Sequence, residues 1–323
     1  MITPAAHTVR RVARLSSFAL LLSVAAPAPP AGAVVVACLS QCSASVQIIG
    51  CDQRTQGPTD ADAALSASGP WRHVGRLDLS GAPGCSATLI GPKHVLTAAH
   101  CVLDKFNNFR IGPIRFRLAQ FSSGPCSRPF GDHYAVRTFV PADYDNGSIS
   151  TANKALDYAI VELANPIAGA VPMSFSYQSW ATVDGLTPFS IGYPGDKSLG
   201  TVWQTGPADS NSFLDTTAVW QDGGEKGLFH MTNDGVGGQS GSPVYVFVAG
   251  VRQLVGVLIG SPENECWAGR IWASRLTPGA VDRIENSMLF PPNGNVIDFS
   301  LRWNTLPNVD VLADVPPANG CGF

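Results

Sequence analysis

From Trp71 onward the chain is a succession of short apolar runs separated by turn residues. Ser86-Ala87-Thr88-Leu89-Ile90 is followed by Gly91-Pro92-Lys93 and then by His94-Val95-Leu96-Thr97, which predicts a strand, a turn and a strand. Ile114 to Phe121 alternates apolar and polar positions, the period of a half-buried strand. Tyr158 to Leu163 is a further apolar run. Val244 to Val248 and Leu254 to Ile259 flank Ala249-Gly250 and predict a hairpin. One segment changes period: Ala280, Val281, Ile284 and Met288 share a helical face, with Thr277 placed to cap it and Pro278 at its first turn. The pattern predicts an all-β sandwich or barrel with one C-terminal helix. Residues 34 to 68 are rich in Ala, Ser, Thr, Asp and Gly, and read as a propeptide or N-terminal extension. Residues 290 to 323 show little periodicity and read as a tail, with Cys321 available to pin it.

Composition narrows this picture. Only 14% of the 323 residues are charged, whereas Gly and Pro number 33 and 25, a balance that suits loop-rich β structure better than a helical bundle or a disordered chain. The formal net charge of -3 gives no electrostatic case for nucleic acid or for an anionic membrane as partner. Residues 1 to 33 have the order of an export signal. Arg10, Arg11 and Arg14 precede the apolar Leu15 to Ala26, and Ala31-Gly32-Ala33 offers small residues for cleavage. A membrane anchor is the competing reading, but Pro27, Pro29 and Pro30 interrupt an already short run. Lipidation at Cys38 would leave an odd number of cysteines. Secretion, extracellular or periplasmic, is therefore expected, and there the eight cysteines read as disulfides. Zinc is the rival use of Cys38, Cys42 and Cys51, but no partner ligand stands at a suitable spacing, so no metal is expected.

Three motifs carry chemistry in combination. They are Leu96-Thr97-Ala98-Ala99-His100-Cys101, Asp157-Tyr158-Ala159-Ile160-Val161-Glu162-Leu163, and Gly237-Gly238-Gln239-Ser240-Gly241-Ser242-Pro243. A serine hydroxyl needs an imidazole to take its proton, and the imidazole needs a carboxylate to fix its tautomer. Glycines before the serine allow a sharp turn that aims the Gly238 and Ser240 amides at a developing oxyanion. Taken singly, each motif has a plain reading: a core histidine, a strand cap, a glycine-rich turn. Their order His, Asp, Ser on strand-like flanks is far more specific.

These motifs make the chain resemble the trypsin-like serine proteases, and in particular the bacterial glutamyl endopeptidase branch. Ser240-Gly241-Ser242-Pro243-Val244 and Gly192-Tyr193-Pro194-Gly195-Asp196-Lys197, with Thr201 and Trp203 after it, are similar to that branch. The resemblance runs from about Trp71 to Met288. It implies two six-stranded antiparallel β-barrels with the active site between them, spanning residues 69 to 289. The first barrel would cover about 69 to 168 and the second about 169 to 289, with the crossover near Asn165 to Pro172. It implies a serine endopeptidase that acts through an acyl-enzyme on protein or peptide substrates, with His100, Asp157 and Ser240 as triad. It implies no cofactor, a monomeric, bacterial enzyme made as a zymogen, and a Cys85–Cys101 bridge beneath His100. The pairing of Cys38, Cys42, Cys51, Cys126, Cys266 and Cys321 is left open.

The resemblance also places Asp234, Gly235, Leu258, Ile259 and Gly260 around the primary substrate pocket. Leu258 stands at or beside the position where glutamate-specific members carry a histidine, and Gly235 where they favour a threonine, so cleavage after glutamate is not expected. Asp234, six residues before Ser240, would favour Arg or Lys through charge-assisted hydrogen bonds. Arg54 then becomes a candidate self-processing site. The plain alternatives are that Asn233-Asp234-Gly235 is a solvated turn, or that the Gly-Val-Gly-Gly stretch shifts the register by one and takes Asp234 out of the pocket. Two rival functions remain: a catalytically silent binding protein on the same fold, and a periplasmic quality-control protease. The complete His-Asp-Ser set argues against the first. The short chain after Met288 leaves no room for the peptide-binding module of the second.

Overall fold

The computed structural model describes residues 41–43, 46–48, 52–80, 82, 84–148, 150–205, 213–214, 221–222, 225–260, 271–289, 300–306, 313–318 and 321. The candidate signal at 1–33 and Cys38, Cys51 and Cys266 lie outside them. In the N-terminal extension, β1 (Gln41–Ser43) and β2 (Val46–Ile48) form a hairpin, and β3 (Thr55–Gln56) follows. Six strands then build one closed barrel: β4 (Val74–Leu79), β5 (Cys85–Leu89), β6 (His94–Thr97), β7 (Ile114–Leu118), β8 (His133–Pro141) and β9 (Ala159–Leu163). Their order is β8-β7-β4-β5-β6-β9, and β8 pairs again with β9 to complete the circle. All pairings are antiparallel.

The predicted strand-turn-strand is β5 and β6, and both strands are buried along their whole length. β7 keeps the alternation read from the sequence, but it ends at Leu118. Ala119 takes φ 53°, a left-handed conformation that cannot continue a strand. Leu77, Leu89, Leu96, Phe116, Leu118, Phe139 and Ile160 fill the barrel and are essentially inaccessible.

The second sheet has eight strands in the order β12-β15-β19-β18-β17-β10-β11-β3. The additional members are β10 (Phe189–Gly192), β11 (Trp203–Thr205), β12 (Phe213–Leu214), β15 (Leu228–Met231), β17 (Pro243–Val248), β18 (Val251–Gly260) and β19 (Ile271–Arg275). β13 (Gln221–Asp222) and β14 (Glu225–Lys226) pair only with each other, and β16 (Gly235–Val236) pairs with β2. Among the described residues this second sheet does not close on itself. The β17–β18 hairpin turns at Ala249 and Gly250, with φ 49° and 80°, the two positive values a two-residue turn requires. The helix Pro278–Met288 begins as predicted: the Thr277 hydroxyl accepts from the Ala280 amide at 3.2 Å. Ala280 and Ile284 are buried, and Val281 and Met288 pack on the core.

Both flanking segments are built into this body. β3 adds to the edge of the second sheet through β11. The C-terminal segment forms β20 (Leu301–Thr305), which runs antiparallel to Arg137–Pro141 of β8. Val315 bridges Asp132, and the Asp314 carboxylate meets His133 Nδ1 at 3.1 Å and Asn165 Nδ2 at 3.2 Å. Cys321 is bonded to Cys126 across 195 positions.

His73 gives the fold a pH-dependent stability. It is buried at the start of the first barrel, and its Nδ1–H donates to the Val171 carbonyl at 2.7 Å. Desolvation, aided by the charges of Arg252 and Arg72, pushes its pKa down to about 4. The unfolded chain therefore takes up a proton near pH 6.5 that the folded chain refuses until about pH 4. This contribution is present above pH 6.5 and is lost as pH falls through that window, at most about 3 kcal/mol. Urea unfolding at pH 7.5 and pH 4.5 should show a fall of that order, and His73→Gln should flatten it. An equal fall in the variant would reject His73 as the source.

Candidate active site

His100 lies in a single helical turn, Ala99–Val102, directly after β6. The next residue, Cys101, is joined to Cys85 on β5, as the resemblance implied, which ties that turn to the barrel wall. Asp157 lies two residues before β9, and the β6–β9 register sets Thr97 opposite Ala159. That register brings Asp157 against the His100 turn. One carboxylate oxygen accepts from the His100 backbone amide at 3.0 Å and the other faces His100 Nδ1 at 2.9 Å. An Nδ1–H donating to the carboxylate leaves Nε2 as the basic nitrogen. Asp157 is fully buried while His100 keeps about a quarter of its side chain exposed. Burial alone would raise the Asp157 pKa, but the charge and hydrogen bonds of His100 hold it below the usual carboxylate range.

Ser240 occupies the turn between β16 and β17, and is partly exposed. The Ser86 amide of β5 donates to the Ser240 carbonyl at 2.8 Å. Gly241 has φ 86°, and a Cβ there would lie 2.2 Å from the Thr97 hydroxyl and 3.1 Å from the Ala98 amide. Only glycine lets the serine turn seat this closely on the segment that leads to His100. Gly238 has φ 96°, and a Cβ on it would meet the Tyr193 carbonyl at 2.6 Å. Neither the Gly238 nor the Ser240 amide has an acceptor among the described residues.

The five candidate pocket residues fall in two places. Asp234 and Gly235 precede the serine turn, and Leu258, Ile259 and Gly260 end β18. Asp234 is buried, and one of its oxygens accepts from the Gln53 amide at 2.8 Å. Gly235 lies against Ile271, which packs with Leu258 in a second core cluster. The Leu258 side chain is thus a core member, 2% exposed. Residues 261–270, which follow Gly260, are outside the described residues.

Sequence reasoning missed several neighbours. The buried Tyr144 hydroxyl reaches both Asn146 and Asp157, and its pKa is raised by burial first and then by the Asp157 charge. Arg54 is not exposed for processing: its side chain is fully buried against Asp52, Asp196 and Gln239. Cys85, His100 and Cys101 bring ligand-type atoms within 4.8 Å of one another. Because the two sulfurs are bonded to each other, they leave no thiolate for a metal.

Comparison with known proteins identifies the family. The model of the trypsin-like peptidase domain matches residues 85–257, more than half of the chain, and the chain belongs to that family. A glutamyl endopeptidase of Bacillus licheniformis is 33% identical over 203 residues, covering 61% of this chain and 54% of that protein. An extracellular metalloprotease of Bacillus subtilis is 28% identical over 206 residues, covering 61% of this chain and 57% of that protein. The match thus spans little more than half the length of these relatives. A solved Glu endopeptidase structure aligns with 75% of this chain and 99% of its own at a TM-score of 0.55 and 21% identity, which establishes a shared fold. The shared features are the mostly β architecture, the closed barrel and the second sheet.

Proposed function

We propose that the chain is a secreted bacterial serine endopeptidase, extracellular or periplasmic, monomeric, that hydrolyses peptide bonds with His100, Asp157 and Ser240 as triad. The observation that carries this is the buried Asp157 carboxylate holding His100 at two points, through its amide and through Nδ1, beside the serine turn. The second sheet would curl into a second barrel within residues 69 to 289, with the active site in the cleft between the two. His100 Nε2 takes the Ser240 proton as Oγ bonds to the scissile carbonyl carbon. The Gly238 and Ser240 amides receive the oxyanion. The C–N bond breaks as His100 returns the proton to the departing amine. Water, deprotonated by His100, then cleaves the acyl-enzyme and restores Ser240. The chemistry needs no cofactor. Among the described residues no helix is long and apolar enough to cross a membrane.

For specificity, Asp234 would sit at the base of the primary pocket, with Gly235, Ile259 and Gly260 around it. One oxygen of this carboxylate accepts from the Gln53 amide, and a substrate guanidinium would meet the carboxylate through charge-assisted hydrogen bonds. An apolar substrate side chain would forgo those bonds, at a cost of a few kcal/mol. Peptides with Arg before the scissile bond should exceed those with Glu or Leu by about 10² in kcat/KM, and Asp234→Ser should abolish the preference. Preference for Glu or Leu would remove Asp234 from the pocket. Absence of cleavage in any peptide of a diverse library would sink the endopeptidase reading itself.

A further inference from the structure

The most unusual buried group outside the triad is Arg54. Its five N–H groups are all used. Nε and Nη2 donate to the two Asp52 oxygens at 2.9 and 2.8 Å, and Nη1 and Nη2 to the two Asp196 oxygens at 3.0 and 2.6 Å. The remaining Nη1–H donates to Gln239 Oε1 at 3.4 Å. Lys197 completes a balanced set of two cations and two anions by donating to Asp52 at 2.7 Å. The guanidinium has no exposed surface, whereas Asp52 and Asp196 are 30% and 38% exposed. The cluster is therefore closed around Arg54 and open at its acids.

Three chain segments meet at this group. One is the N-terminal extension leading into β3. The second is the loop after β10, where the Gly195 amide donates to the Gly237 carbonyl at 2.7 Å. The third is the serine turn itself, since Gln239 is the residue before Ser240. Gln239 is fully buried, its Oε1 also accepts from the Val236 amide at 3.0 Å, and its own amide donates to the Val236 carbonyl at 3.0 Å. Val236 to Gln239 is thus closed by one residue's backbone and side chain, and Arg54 holds that side chain from the far end. The same turn contains Gly238, packed at φ 96° against the Tyr193–Gly195 loop that Asp196 continues.

We propose that Arg54 is a positioning residue, an internal cation that holds the serine turn and aims the Gly238 and Ser240 amides. The inference rests on Ser240 being the nucleophile and on those amides receiving the oxyanion. It has a direct consequence: the turn is set by a side chain of the extension rather than by a newly cut chain end. Removal of residues before Asp52 takes away the β2–β16 pairing but keeps every Arg54 contact, whereas a cut after Arg54 releases it.

The test compares Arg54→Met, Arg54→Lys and Asp196→Ala with the wild type. For each, kcat and KM on one peptide amide are measured per titrated Ser240, together with the inhibition constant of a peptide boronic acid. The boronate is tetrahedral and uses the oxyanion donors, whereas KM reports mainly ground-state binding. Misaiming one donor should lower kcat in Arg54→Met by about 10²-fold and weaken the boronate by a similar factor, with KM within about threefold. Arg54→Lys should recover part of this loss, and Asp196→Ala should fall between. A folded Arg54→Met with kcat and boronate affinity within twofold of wild type overturns the proposal, as does loss of active fraction without change in either. Should Arg54→Met fail to fold, Arg54→Lys and Asp196→Ala decide by the same two readings. A wild type that is inactive on every peptide refutes the protease reading, and this inference with it; an active wild type with indifferent variants refutes this inference alone.

Discussion

Ser240→Ala and His100→Ala will each lower kcat by about 10⁶, and Asp157→Ala by about 10⁴. The first two are equal because neither group acts without the other: a hydroxyl without its base is a poor nucleophile, and the base without the hydroxyl has nothing to activate. The loss corresponds to roughly 8 kcal/mol of barrier. Asp157 costs less because His100 can still take the proton, in a minority tautomer and without its buried countercharge. The alternative carboxylates, Asp143 and Asp145, are both exposed, and Asp145 is occupied by the Asn107 side chain and the Gly147 amide. Steady-state kinetics on a peptide amide decides this. Near-normal turnover in Asp157→Ala would show that another group orients His100. Melting temperatures must accompany the rates for Asp157→Ala, because its removal also strips a partner from Tyr144.

Cys321→Ser should lower the free energy of unfolding by several kcal/mol, the largest stability effect expected here of a single substitution. The Cys126–Cys321 bond spans 195 positions, and closing a loop of that length is worth about 5 kcal/mol in the chain-entropy account, an upper value. Deleting residues from Ser300 onward removes more. It takes away the β20 ladder on β8, the Val315 bridge and the Asp314 contacts to His133 and Asn165 as well. Against a total stability of about 5–15 kcal/mol, that deletion should prevent folding. Urea unfolding of Cys321→Ser and the yield of folded protein for the deletion are the measurements. A midpoint unchanged by Cys321→Ser, or a stable truncated chain, would show the segment to be dispensable.

These two cases show what the sequence could and could not reveal. β5, β6 and the Pro278–Met288 helix were legible because their signals are local: apolar runs cut by Gly-Pro, and a capping threonine followed by proline and one apolar face. The proposed triad was read from three short motifs that keep their order, and two of its members, His100 and Asp157, meet in the structure. β20 was not, since Leu301–Thr305 alternates with polar and half-exposed residues, and its partner β8 lies some 160 positions earlier. The Cys126–Cys321 pair was one choice among 15 pairings of six cysteines. Arg54 lacked any signal, because nothing in an Asp-Gln-Arg-Thr-Gln stretch marks a guanidinium for burial. Its role depends on Asp196 and Gln239, which are brought to it from 142 and 185 positions away.

The most direct test of the central claim is labelling by a fluorophosphonate, which reacts with an activated serine, followed by peptide mapping. One adduct per chain is expected, on Ser240, absent in Ser240→Ala and strongly slowed in His100→Ala. A wild-type chain that cleaves peptides yet carries no adduct, or carries it on another serine, would contradict it.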